Sequence, residues 1–236
     1  LNELTLVETL EQASNPQHAG SEVQKLAEKQ LSEWQTQPGF HYTLQSIYLD
    51  LSNPLQIRWL SVIQFKNGVD KYWRSTRLHA ISKEEKSSIR VRLFDLIDEQ
   101  NNQLCIQNAQ ATARIARYDF PVEWPNLFEQ LEQLFANEQL MNSTIKVYNS
   151  LMHVNQIIKI LGSARIGRCK PAMQSKVPLI FSLIVSIYLK SFNVWTESLG
   201  SDEDSLASQQ VSYLALKVLR RIVADGYERP QKDEAV

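Results

Sequence analysis

An all-α solenoid, a right-handed superhelical stack of about five antiparallel helix pairs, is the fold this sequence predicts. Three observations predict it. Apolar residues recur with the period of a half-buried helix. Val23, Leu26, Ala27, Leu31 and Trp34 make one stripe, Ile180, Leu183, Ile184, Ile187 and Tyr188 a second, and Val211, Leu214, Ala215, Val218, Leu219 and Ile222 a third. Glycine and proline are scarce, 7 and 8 of 236 residues, and they fall between helical patterns; alternating apolar and polar runs are hard to find. Grouped in pairs, the helices repeat about every 40 residues, which is the HEAT range.

Breakers divide the chain into about ten helices, near residues 2–13, 21–36, 38–51, 54–68, 82–99, 101–117, 121–136, 141–162, 172–199 and 204–225. The first two form the opening pair, the second of them carrying the stripe that ends at Trp34. Asn53-Pro54 then offers a cap followed by a first-turn proline for the fourth helix. Ser82 with Glu85 three residues on is a capping box for the fifth. Asn101-Asn102 opens the sixth, one of the two serving as its cap. Pro125 sits near the acidic first turn of the seventh. Pairs start near 2, 38, 82, 121 and 165. One pair cannot cover its own apolar faces, whereas stacked pairs bury a continuous core and expose two long surfaces, one of first helices and one of second helices. A compact bundle is the alternative, but the apolar last helix reads as awaiting a neighbour. With no opening methionine and no closing signal, residues 1–236 read as a segment of something longer.

Composition narrows the function classes. The chain is 43% hydrophobic and 22% charged, enough to build a core. A formal net charge of -1 gives no global attraction to nucleic acid or an anionic membrane, so electrostatic recognition has to be local. The one asymmetry lies between Arg58 and Arg92, where nine basic residues stand against three acidic ones. Cys105 and Cys169 are far apart, with no nearby Cys or His to make a zinc or redox motif, and fit a reducing cytosolic or nuclear compartment. No signal-peptide pattern opens the chain, the sequon at Asn142 is a chance match, and the apolar run 177–189 reads as too short and too serine-interrupted to span a bilayer.

Catalytic patterns are missing. Neither a phosphate loop nor a dinucleotide turn nor a nucleophile elbow occurs, and Gly162-Ser-Ala-Arg-Ile-Gly167 lacks the lysine and serine that a phosphate loop needs. His18, His41, His79 and His153 are scattered; His153, beside Met152 and Val154, reads as a hydrogen-bonded core or groove residue. Glu84-Glu85 and Asp98-Glu99 read as caps or solvated faces. No cofactor and no enzymatic activity are expected. An α-helical enzyme with an unrecognised carboxylate site is the rival from that class.

Residues 56–74 carry the most information. Leu55, Trp59, Val62 and Ile63, then Tyr72 and Trp73 beyond the helix, are expected on one buried stripe, with Arg58, Gln64, Lys66 and Asn67 turned elsewhere. Taken with Leu26-Ala-Glu-Lys-Gln-Leu-Ser-Glu-Trp34, Gln37-Pro-Gly-Phe40, Asn101-Asn-Gln-Leu-Cys-Ile-Gln107 and Ile115-Ala-Arg-Tyr-Asp-Phe-Pro-Val-Glu-Trp-Pro125, this stretch resembles the N-terminal region of importin-β-type nuclear transport receptors. Within that superfamily it looks most like the importin-eleven branch and its fungal karyopherin members. The family's N-terminal region falls at about 20–100, and the likeness runs through nearly the whole chain.

The resemblance implies a partner and a place for it. In such receptors the second helices of the first repeats line a concave face that binds Ran in its GTP form; Lys66 and Asn67 match that position, with Lys71 and Arg74 beside them. In isolation a lysine-rich helix end only complements the helix dipole. A lysine or arginine there would pair with GTPase carboxylates, and the Asn67 amide would bond to backbone. Gln107 and Arg114, seven apart on the next second helix, could extend the same face. Apolar first helices such as 177–192 are expected to leave shallow gaps for the phenylalanines of phenylalanine-glycine nucleoporins. Protein cargo would bind mainly through the missing remainder, and the receptor would shuttle between cytoplasm and nucleus, importing proteins. Phe120 and Trp124 are expected to plug a seam between repeats, with Trp34, Phe40, Trp59 and Trp73 treated alike. Arg165, Arg168, Lys170 and Lys176 form a second basic cluster, either a solvated loop or an inner-face element. A HEAT scaffold without GTPase binding remains the alternative function.

Overall fold

The computed structural model describes residues 2–136, 142–163, 167–198 and 203–227, and all regular structure among them is helical. The helices are α1 (Glu3–Ser14), α2 (Glu22–Trp34), α3 (Phe40–Leu49), α4 (Leu55–Tyr72), α5 (Lys83–Val91), α6 (Asn102–Asp119), α7 (Leu127–Ala136), α8 (Thr144–Leu161), α9 (Cys169–Lys176), α10 (Pro178–Ser198) and α11 (Glu203–Asp225), with a short 3₁₀ turn at Pro16–His18. The chain divides into two compact units, Leu1–Leu96 and Ile97–Val236.

In the first unit α1 packs on α2 and α4, α3 on α4, and α5 on α3. Phe40, Leu44, Ile47, Tyr48, Val62, Phe65, Val69 and Trp73 form its core. Helix α4 inverts part of the expected stripe. Its buried set is Ile57, Arg58, Ser61, Val62, Phe65, Gly68 and Val69, whereas Trp59 and Ile63 are only half-buried. Arg58, expected to face outward, is buried: its Nε donates to Tyr48 O at 2.9 Å and its guanidinium lies 5.8 Å from the Tyr48 ring centre. A planar cation that stacks and hydrogen-bonds at once can replace an aliphatic side chain in such a seam. Helix α4 also passes Gly68, where it was expected to stop, and runs to Tyr72 with Trp73 at its C-cap.

Two caps differ from expectation in the same unit. Ser82 accepts from Glu85 N as a capping box requires. The Glu85 carboxylate then turns away from its own helix and accepts from Gly39 N at 2.9 Å and Tyr42 N at 3.0 Å. Gly39 is the N-cap of α3, at φ 81 with no capping side chain, so the cap is supplied by α5, placing an anion at the positive end of α3. Asn53 does not cap α4; its Nδ2 donates to Ile47 O at 3.3 Å, and Pro54 holds the N-cap position. Helix α2 is less covered than its stripe suggests: Ala27 and Leu31 are buried, but Val23 and Leu26 are exposed and Trp34 is half-buried.

In the second unit α6, α8 and α11 pack in one row and α7 and α10 in another, with α11 on α10 and α7 on α8 joining the rows. This is the arrangement of stacked pairs, second helices on second helices. Asn101 caps α6, its Oδ1 accepting from Gln103 N and Leu104 N. Helix 82–99 ends early, at Val91, and helix 121–136 starts late, at Leu127. In the turn ahead of α7, Phe120 and Trp124 are buried, the Phe120 ring lies 5.4 Å from that of Phe128, and Trp124 Nε1 donates to Gln130 at 2.9 Å. The single helix expected at 172–199 is two, α9 and α10, because Pro178 lacks an N–H and would clash with the preceding turn. Helix α10, at 21 residues, is also longer than the apolar run suggested, and Pro178–Glu197 has a mean hydropathy of 1.5, enough by length and composition to cross a membrane. Here Ile180, Ile184 and Ile187 are buried in a helix that packs on α11 and α7.

Candidate functional site

Burial of one side of α4 leaves the opposite side to solvent. Asn67, Asp70, Lys71 and Arg74 are exposed there and Lys66 is half-buried. Residues four apart stack along a helix, so Lys66, Asp70 and Arg74 form one line, a ladder of alternating sign that the count of basic residues concealed. All three have partners in the structure. Lys71 stands at the edge of the face, where its Nζ donates to Gln35 Oε1 at 3.2 Å.

Gln35 ties this end of α4 to its support. Its backbone oxygen lies 3.2 Å from His41 Nε2, and because a carbonyl only accepts, that nitrogen carries the proton. The other ring nitrogen, Nδ1, is a buried lone pair with no hydrogen-bond partner, and it faces Gly68. A Cβ on Gly68 would lie 2.3 Å from His41 Cε1, so only glycine lets the ring seat against α4 directly behind Asn67. Tyr72 closes the other side, its ring 5.6 Å from that of His41. Burial pushes the His41 pKa down to about 4, keeping the ring neutral. Beyond the helix, Lys86 Nζ lies 5.8 Å from the Trp73 ring centre and fixes the C-cap. Gln35, His41 and Gly68 were not singled out from the sequence as supports of the site; a lone glycine inside a helical pattern is the signal that would have found them.

Gln107 and Arg114 belong to the second unit, where both are half-buried at the edge of the buried face of α6, one turn from Ala111 on either side. Their shared face is as expected, and both have partners. His153 is buried, as expected: Nδ1–H donates to Asn149 O at 2.9 Å and Nε2 lies 3.4 Å from Asn108 Nδ2. Asn149 in turn donates to Ile97 O and Glu99 O. Within the second basic cluster Lys176 is ion-paired with Glu129 and Arg168 donates to Tyr118 O at 3.0 Å, so both serve internal seams; Arg165 lies outside the described residues. Among the described residues no group of His, Cys, Asp and Glu could hold a metal.

A family pattern described as the importin-beta N-terminal domain matches residues 27–99, the span that contains α3, α4, α5 and the exposed face of α4. The Importin beta-like protein KAP120 of Saccharomyces cerevisiae is 71% identical over 236 residues, all of this chain and 23% of that protein. The chain belongs to the importin-β family. Importin-11 of Mus musculus is 31% identical to this family member over 233 residues, 98% of the chain and 23% of the relative. A solved structure of Lph2, titled a bidirectional nuclear transport receptor in S. cerevisiae, superposes with a TM-score of 0.86 at 67% identity, covering 100% of this chain and 22% of that one. The exportin Cse1 in its cargo-free state gives a TM-score of 0.67 at 22% identity over 95% of this chain and 23% of its own, a likeness of fold alone. The fold class is therefore the HEAT-repeat solenoid of importin-β receptors, and the chain spans 23% of the length of the curated relatives it matches.

Proposed function

We propose that this chain binds the small GTPase Ran in its GTP form through the solvent side of α4, with Lys66, Asn67, Lys71 and Arg74 as principal contacts, and that Gln107 and Arg114 of α6 contact it as well. The observation that carries the reading is a basic and amide group displayed on the outer side of a helix inside the family's own domain, residues 27–99. Lysine and arginine heads would pair with GTPase carboxylates, and Asn67 would bond to backbone. Residues 1–236 act as the N-terminal HEAT-repeat segment of a longer receptor that shuttles between cytoplasm and nucleus. Cargo binds mainly through the remainder of that receptor, and nucleoporin phenylalanines bind in gaps such as the groove of ≈ 360 Å³ lined by Tyr188, Phe192, Trp195, Tyr213 and Leu216. Ran and cargo weaken one another reciprocally, so GTP-form Ran releases imported cargo in the nucleus. Binding alone does this work; neither catalysis, a cofactor, a membrane nor direct nucleic-acid contact enters.

A pull-down with GTP-loaded and GDP-loaded Ran tests the reading. Retention of the GTP form alone is expected; no retention would leave a HEAT scaffold without GTPase binding, and equal retention of both forms would contradict recognition of the GTP state. The direction of transport is read separately, from whether GTP-form Ran releases cargo or recruits it.

A further inference from the structure

The row of α6, α8 and α11 in the Ile97–Val236 unit carries a feature that GTPase binding by α4 does not use. Residues 103–118 of α6, 144–161 of α8 and 205–224 of α11 contain no aspartate or glutamate, yet hold, besides the Arg114 assigned to the GTPase, Arg117, Lys146, Lys159, Lys217, Arg220 and Arg221. These three helices are packed side by side, which brings the acid-free stretches next to one another, although Lys146 pairs with Asp98 at 3.8 Å. Into this row is cut a groove of ≈ 300 Å³ lined by Ile106 of α6, Tyr148, Met152, Asn155 and Gln156 of α8, and Gln210, Tyr213, Leu214 and Lys217 of α11. Asn155 is 4% exposed and its Oδ1 has no hydrogen-bond partner, an acceptor that burial leaves unsatisfied. Tyr213 is 70% exposed, the most exposed of the large apolar residues on α11 ahead of Leu206 and Leu216 at 50% each, and stands on the ridge between this groove and the aromatic groove beside Phe192 and Trp195. Lys159 follows Asn155 by one turn and Arg221 follows Lys217 by one turn, so cations continue both walls beyond the groove.

The geometry points to a docking site for an extended, acidic segment of a partner protein, lying along the α8–α11 groove. Its backbone N–H would satisfy Asn155 Oδ1. Gln156 and Gln210 would offer further amide bonds to the strand, an apolar side chain would sit between Tyr148, Met152 and Leu214, and carboxylates would meet Lys217 and Lys159. The occupant is an acidic peptide because no described residue lining the groove is acidic, and it is extended because a helix lying along the groove would have its N–H groups bonded internally past the first turn. This site is independent of the α4 face and of the nucleotide state of any GTPase.

Fluorescence anisotropy on the full chain with a labelled decapeptide of alternating aspartate and leucine tests the site. Saturable binding is expected, together with a loss of about tenfold or more when the aspartates are replaced by lysine, or when Lys217→Glu is introduced. Tyr213→Ala, an exposed change checked by an unaltered thermal midpoint, is expected to weaken binding by a similar factor. Methylation of the peptide backbone nitrogens should do the same, which a purely electrostatic surface would not register. Equal affinity for the lysine peptide, tighter binding of oligouridylate than of the acidic peptide, or indifference to both substitutions would overturn the proposal.

Discussion

His153 and His41 are neutral at physiological pH because each ring is taken out of water with only one charge-favouring partner, a backbone carbonyl. Both pKa values fall to about 4, against 6.5 for a histidine in an unfolded chain. Between those two values the unfolded state binds the additional proton, so stability rises with pH across this window and is lost on acidification. From pH 7 to pH 5 each histidine is expected to withdraw about 2 kcal/mol from the unit that contains it. Urea titrations at the two pH values check this, and His153→Gln should flatten the pH dependence of the second unit. Trp124 makes a different kind of contribution, through volume: it is 3% exposed, and Trp124→Ala is expected to cost about 3–5 kcal/mol by thermal denaturation. Both His153 and Trp124 were legible in the sequence, since an apolar helical setting and a bulky ring in a turn between helices each point inward. Arg58 was not. A charge reads as solvent-facing unless the aromatic ring that covers it is known, and Tyr48 lies on another helix.

At the scale of elements, helix existence followed from periodicity, while boundaries and caps depended on neighbours that local sequence does not specify. Glu85 looks like half of a capping box yet caps α3, because the N–H groups of Gly39 and Tyr42 are brought within reach by packing. Val23 and Leu26 belong to an apolar stripe, but α2 is covered on one side only, by α1. Helix α4 continues through Gly68 for a tertiary reason as well, the His41 ring. Gly68→Ala is accordingly expected to destabilise the first unit by about 1–3 kcal/mol, although alanine favours helices. Pairing it with His41→Ala should recover much of that loss in a double-mutant cycle. Additive losses would mean that the ring is not what excludes a methyl group.

Across the whole molecule the solenoid was legible because a period of about 40 residues with two helices in each repeat needs no knowledge of side-chain contacts. The candidate site was legible only in part. Sequence position selected the exposed end of α4, but the alternation of Lys66, Asp70 and Arg74 and the anchoring of Lys71 by Gln35 at the end of α2 emerge only when α4 is seated on α1 and α3. On the proposed reading, charge placement along the ladder, more than net charge, would set recognition. The dissociation constant of GTP-loaded Ran for the unaltered chain and for its Lys66→Glu, Lys71→Glu double variant is the most direct test. A loss of about a hundredfold at an unchanged thermal midpoint is predicted. Undiminished affinity would place the GTPase elsewhere and contradict the account.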